Sequence, residues 1–151
     1  MNLINFQLVT PEKTVLQKEL ASLSCPTALG QITILPGHIP LVATLTPGEL
    51  HVKTENDDSF IFVAGGFVEV RPNNQVVVLA DAAEHHFEID QKQAEAAKAK
   101  AEKAMKDRST MSEQEYAKVA AALKQSLARL HIARRHARRK QDVINEDSLD
   151  Q

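Results

Sequence analysis

The sequence predicts an all-β N-terminal sandwich followed by a C-terminal antiparallel α-helical hairpin. Three observations carry that expectation. From residue 3 to about residue 86 apolar and polar residues alternate with period two. Turn residues break that alternation every eight to twelve positions. After residue 88 the apolar spacing changes to that of a helix. The expected organisation is a β domain over 1–88, a helical hairpin over 89–141 and an acidic, disordered tail over 142–151.

Each β element has its own signature. Ile4, Phe6 and Leu8 alternate with Asn5 and Gln7, Ile32 and Ile34 flank Thr33, and Leu50 and Val52 flank His51. The turns are "TPEK", "CPT", "LPGHIP", "TPGE", "ENDD", "AGG" and "RPNN". Pro47-Gly48 is expected to form a type II turn, in which Pro presets the first central dihedral and Gly accepts the positive one. Gly65-Gly66 implies a tight turn or bulge where side chains would obstruct. The unbroken run "QVVVLA" reads as a strand buried on both faces.

The helical half opens at Asp90, which with Gln93 has capping-box spacing and Ile89 as a staple. Ala94, Ala97, Ala101, Ala104 and Met105 follow at helical spacing, and "KDRSTM" breaks the pattern. Ser112 and Glu115 form a second box. The helix behind it carries a stripe of Tyr116, Val119, Ala120, Leu123, Leu127 and Leu130. Running from 113 to 140, that helix would be roughly 40 Å long. A seam of alanines buries little apolar area, so the hairpin is expected to be held lightly and to detach and re-dock.

Composition narrows the function classes. With aromatics at 4% and no Trp, any core must rest on Val, Ile, Leu and Ala. Cys25 is the only cysteine, which forbids an intramolecular disulfide and reads as a small buried hydrophobe. The opening "MNLINFQLVTPEK" alternates like a strand rather than a signal or transit segment. The apolar stretch "FIFVAGGFVEV" is too short to span a bilayer, so membrane association is expected only through partners. No GxSxG, HExxH or Walker-type loop occurs, and no catalytic constellation is visible. His85-His86 lacks a third ligand at useful spacing and reads as a surface pair, not a metal site.

The net charge of −2 hides unlike parts: −6 over residues 1–88, +8 over 89–141 and −4 over 142–151. The segment "RLHIARRHARRK" packs Arg129, Arg134, Arg135, Arg138, Arg139 and Lys140 into one helix end. A favourable interaction with the helix dipole accounts for one or two of these cations, not for all. The cluster points to an acidic partner. An acidic protein is favoured over nucleic acid because the β half is acidic, stacking aromatics are scarce and the tail is acidic. A free nucleic-acid-binding module remains the alternative.

The blocks "ITILPGHIPLVATLTPGEL" and "FVAGGFVEVRPNNQVVVLADAAE", followed by an Ala-rich hairpin, resemble the epsilon subunit of bacterial-type rotary ATP synthases over residues 3 to about 135. The resemblance implies a non-catalytic central-stalk subunit of the proton-transporting enzyme. Such a subunit lies peripherally on the cytoplasmic side of the cell inner membrane, as part of the complex. It implies gamma-subunit and c-ring partners for the β domain, contact with the beta subunits in an inhibited state, and inhibition of ATP hydrolysis by the helices. Carried onto this chain, it implies a gamma- and rotor-facing set of Gln31, Pro36, Gly37 and His38. It also implies an inhibitory set of Arg129, Arg134, Arg135, Arg138 and Arg139 facing an acidic loop.

Two departures qualify the resemblance. An amide, Gln31, stands where the family usually has an acid near the c-ring. In the stretch that matches the family's regulatory ATP motif, Ile89-Asp90-Gln91-Lys92-Gln93-Ala94, Gln93 replaces an arginine; Gln125 replaces another, while Arg129 is retained. Fewer cations leave phosphate charge less compensated, so no cofactor is expected and ATP binding should be weak or absent.

Overall fold

The computed structural model describes residues 2–149, with side chains described for residues 2–140. The chain divides into two compact units, Met1–His85 and His86–Gln151.

The first unit is a single twisted sheet wrapped into a sandwich. Its strands are β1 (Ile4–Val9), β2 (Thr14–Leu20), β3 (Ser22–Thr27), β4 (Gly30–Ile34), β5 (Leu41–Leu45), β6 (Gly48–Lys53), β7 (Asp58–Val63), β8 (Gly66–Arg71), β9 (Gln75–Ala80) and β10 (Ala83–His85). They hydrogen-bond in the order β10-β7-β6-β3-β5-β8-β9-β1-β2, with β4 added to β3. All pairs are antiparallel except β1 with β9. Alternation delivers the core as expected: Ile4, Phe6 and Leu8 meet Leu20, Leu23, Cys25, Leu50, Val52, Ile61, Val63, Val68, Val76 and Val78. Phe6 is the one aromatic in that cluster. Burial pushes the Cys25 thiol up to about 12, so it stays protonated in the core.

Two expectations fail here. Gly48 is not among the glycines with positive φ, so Pro47-Gly48 is not a type II turn. The glycine is needed for space instead: a Cβ at position 48 would lie 2.9 Å from both Cβ and Cγ of Pro26. β9 is not buried on both faces either. Val76, Val78 and Ala80 point inward, while Leu79 is 49% exposed and Val77 half-buried. β7 is the strand buried on both sides, with Phe60, Ile61, Phe62 and Val63 in succession. The Gly65-Gly66 turn is as tight as expected. Both residues have positive φ, and a Cβ on Gly66 would lie 2.0 Å from the Leu79 carbonyl oxygen.

The second unit begins with a short 3-10 helix (His86–Glu88) and continues as α1 (Gln91–Met105), a 3-10 turn (Arg108–Thr110) and α2 (Glu113–Leu149). Asp90 caps α1 by accepting from the Gln93 N–H. The second capping box closes fully: Ser112 Oγ accepts from Glu115 N–H and Glu115 Oε2 accepts from Ser112 N–H. At the break, the Arg108 guanidinium sits over the Tyr116 ring at 4.4 Å.

The helix seam differs in detail from the expected one. Ala94 and Ala101 are buried, Lys98 and Met105 half-buried and Ala97 exposed. The row that turns inward is thus 94–98–101–105, and the Lys98 stem covers apolar surface while its head reaches Glu102 at 3.8 Å. On α2 Ser126 takes the buried place expected for Leu127, which is 45% exposed. Ser126 satisfies its hydroxyl by donating to the Ala122 carbonyl. The largest correction concerns the tail. Helical backbone continues through Leu149, so residues 142–149 of the expected disordered segment belong to α2. No Gly or Pro follows residue 140, and extending a formed helix costs far less than starting one. Residues 150–151 lie outside the described residues.

Candidate functional site

The loop between β4 and β5, residues 35–40, carries the expected rotor-facing turn. Gly37 has φ +84, the backbone state that the turn requires of it. The His38 N–H donates to the Leu35 carbonyl, and His38 Nδ1 lies 2.6 Å from the Ile39 carbonyl oxygen. The imidazole is thereby held by its own loop.

A residue that sequence reasoning passed over fixes the loop. Asn74 Oδ1 accepts the Gly37 N–H at 2.7 Å, and the Asn74 carbonyl accepts the Asn5 N–H at 2.8 Å. Asn73 and Asn74 both adopt positive φ, 62 and 58, to turn the β8–β9 hairpin. One residue, through its side chain and its backbone carbonyl, therefore ties the loop, the hairpin and the start of β1 together. Asn-Asn in "RPNN" signals a left-handed turn; its reach across 37 residues is invisible in sequence. Pro36, Gly37 and His38 are thus grouped at one end of the sandwich. Gln31 is exposed on β4, toward the strand's other end, opposite Pro26.

The second missed feature is an apolar outer face. On β5, β8 and β9 the residues turned away from the core include Val42 (68% exposed), Phe67 (53%) and Leu79. Phe67 pairs directly with Leu79 across the strands, and Phe67 faces Thr44 of β5. Half-buried Val77 and Val9 continue the face. Glu69 stands within this face, between Val42 of β5 and Val77 of β9, and the Arg71 guanidinium donates to it at 2.8 Å; this bond holds the Glu69 carboxyl below its usual range and the guanidinium above its own. Leu35 and Ile39 of the rim loop, 55% and 75% exposed, are further exposed apolar side chains. The sequence signal was present: large apolar residues occupy positions of the period-two pattern that should have been polar.

The five arginines of the expected inhibitory set do not form one group. At 100° per residue, Arg134, Arg135, Arg138 and Arg139 share an arc of about 140° on α2, and all four are exposed. Arg129 lies about 150° round the helix from the middle of that arc and is half-buried. Arg134 reaches Glu95 of α1 at 3.5 Å, and Gln91 donates to the same carboxylate. The His86 ring lies against that of His136 with centroids 4.4 Å apart and the planes tilted by 35°, so this half of the His85-His86 pair packs within the helical unit. Among the described residues no group of three or more His, Cys, Asp or Glu is placed to hold a metal. Of the residues matching the regulatory ATP motif, Asp90 is engaged in the α1 cap, Gln93 is exposed, and Gln125 and Arg129 are half-buried.

A sandwich with exposed large apolar side chains on its outer face, followed by a cationic hairpin, has the surface of a chain that binds other proteins. Family comparison makes that specific. The beta-sandwich domain of the ATP synthase Delta/Epsilon chain matches residues 3–86, and the long alpha-helix domain of the same chain matches residues 88–134. An "ATP synthase epsilon chain" of Herpetosiphon aurantiacus is 41% identical over 131 residues, covering 87% of this chain and 94% of that one. The epsilon chain of Alkalilimnicola ehrlichii is 36% identical over 140 residues, covering 92% and 98%. In fold, a chain of the Euglena gracilis mitochondrial ATP synthase, resolved as OSCP/F1/c-ring, superposes with TM-score 0.75 at 24% identity, over 85% of this chain and 79% of its own. The chain belongs to the ATP synthase delta/epsilon family, as a non-catalytic epsilon-type subunit.

Proposed function

We propose that this subunit joins the rotor stalk of a proton-transporting ATP synthase, coupling the catalytic head to the c-ring and restraining ATP hydrolysis through its C-terminal helices. One observation carries the reading. A sandwich with a complete core still displays large apolar side chains on its outer face, Phe67 and Leu79 paired across β8 and β9 and Val42 on β5, and its rim loop is tied down by Asn74. Exposed apolar surface of that kind fits a protein partner, and in this family's setting the partner is the gamma subunit. His38, Pro36 and Gly37 are offered to it from a fixed turn. Gln31, an amide, makes a charged contact with the c-ring unsuitable.

The brake is assigned to Arg134, Arg135, Arg138 and Arg139, whose shared arc suits bidentate pairing with carboxylates of the beta subunits. Arg129, on another side of α2, is left out of that contact. Among the described residues no helix is long and apolar enough to cross a membrane. Attachment to the cytoplasmic side of the inner membrane therefore runs through the complex. Replacing the four arginines by alanine in the assembled enzyme should raise ATP hydrolysis several-fold with gamma binding intact. Unaltered hydrolysis would remove the arc from the brake.

A further inference from the structure

The free edge of β4 is the strongest unassigned feature of the β unit. β3 and β4 are joined by the two-residue turn Ala28-Leu29 between the paired residues Thr27 and Gly30. Such a hairpin closes on a hydrogen-bonded pair, and pair types alternate from there. Thr27–Gly30 and Cys25–Ile32 are then hydrogen-bonded pairs, whereas Pro26–Gln31 and Ser24–Thr33 are not. Two contacts agree with this assignment. Pro26 has no N–H to give, and its carbonyl accepts from Thr46 N–H, on the side away from β4. The Ser24 and Thr33 hydroxyls meet at 2.9 Å, as side chains of the closer, non-bonded pair type should. The N–H and C=O of both Gln31 and Thr33 therefore point away from β3. Among the described residues β4 pairs with no other strand.

The three edges of the sheet differ in how they are protected. β2 exposes Lys18 and Glu19, and β10 is only three residues long. β4 has five residues, no charge and no proline, and its exposed side chains are Gln31 and Thr33. Leu29, fully exposed, stands at one end and half-exposed Leu35 at the other. Edges left uncharged and this regular are templates for another strand.

We propose that β4 is a docking edge that takes an extended segment of the gamma subunit as an added strand, with its apolar side chains against Leu29 and Leu35. The inference rests on the gamma reading above and gives it a backbone geometry. Its occupant follows by continuity: β4 runs directly into the loop of Pro36, Gly37 and His38, which the gamma reading offers to the same partner. The outward N–H groups of Gln31 and Thr33 supply two bonds, and their carbonyls two more.

The test is amide hydrogen exchange on the full chain, free and reconstituted with gamma. In the free chain the Ile32 amide should be protected and those of Gln31 and Thr33 fast; in the complex the latter two should slow by at least about tenfold. Gln31→Pro and Thr33→Pro each delete one outward donor that the free fold does not use. Each should weaken gamma binding about fivefold to tenfold, the worth of one backbone hydrogen bond. Gln31→Ala and Thr33→Ala should weaken it less. A complex that forms with Gln31 and Thr33 amides still fast overturns the inference while leaving the gamma reading standing. Failure to form a complex at all overturns both. Protection that grows with the concentration of the free chain means that a second copy occupies the edge, which also overturns it.

Discussion

The two units are built from opposite materials. The sandwich buries Leu, Ile, Val and Phe6 at close to zero exposure from nine of its strands. Among its described residues the helical unit buries Ala94, Ala101 and Ser126 with two large apolar side chains, Leu130 and Ile132. Large side chains contribute roughly 1.5–3 kcal/mol each on burial, and alanine contributes far less. The sandwich is therefore set to hold its shape, and the hairpin to depend on caps, helix propensity and surface pairs. That division matches a subunit in which one half docks and the other responds.

The contrast is open to being broken, beginning with the β core. Leu50→Ala should cost about 2–5 kcal/mol in chemical denaturation followed by a β-unit signal. A cost below about 1 kcal/mol would place the sandwich in the same class as the hairpin. Alkaline pH addresses the same core through Cys25. The folded thiol is pushed up to about 12 by burial, while the unfolded one ionises near 8.5. A raised folded pKa gives stability that is complete below the unfolded value and is lost as pH rises toward the folded one. Stability should thus fall by about 1.4 kcal/mol per pH unit above roughly pH 9 from this group. In Cys25→Ala that slope should shrink, which paired denaturation curves at pH 8 and 10.5 would reveal.

Smaller effects are expected where the two halves rely on single hydrogen bonds. Asn74→Ala removes the acceptor for Gly37 and replaces a residue that tolerates positive φ by one that does so less readily, for about 1–2 kcal/mol. Its decisive readout is faster exchange of the Gly37 amide, with the core amides of β1 and β9 slowed as before. Asn74→Gly keeps the backbone state and should lose only the bond. In the hairpin, Ser112→Ala opens the capping box and should cost about 1 kcal/mol in helical signal. If Ser112→Ala left the hairpin's exchange unchanged while Leu50→Ala loosened it, the two units would be one cooperative structure.

Much of the architecture was legible along the chain. Period-two alternation named the inward residues of β1, β4 and β6 because a pleated strand alternates its side chains. Capping spacing located both helix starts, since an unsatisfied first turn must find its acceptors nearby. The errors share a cause. "QVVVLA" reads as buried on both faces because composition cannot distinguish a covered outer face from one left exposed. Pro47-Gly48 reads as a type II turn because a glycine serving space looks the same as one serving φ. The change of charge at residue 141 is no helix stop, since no Gly or Pro follows it.

The sequence by itself determined the class of fold, the break at the start of the helical unit and the cationic helix end. These follow from local periodicity and from the family's motif blocks. Only tertiary structure decided that Asn74 fastens the rim loop, that Arg129 is set apart from the other four arginines, and that Phe67, Val42 and Leu79 share one exposed face. Each of those facts joins residues brought together by strand pairing or by helical phase. Local sequence encodes the state of a backbone, whereas a site is made by which backbones become neighbours.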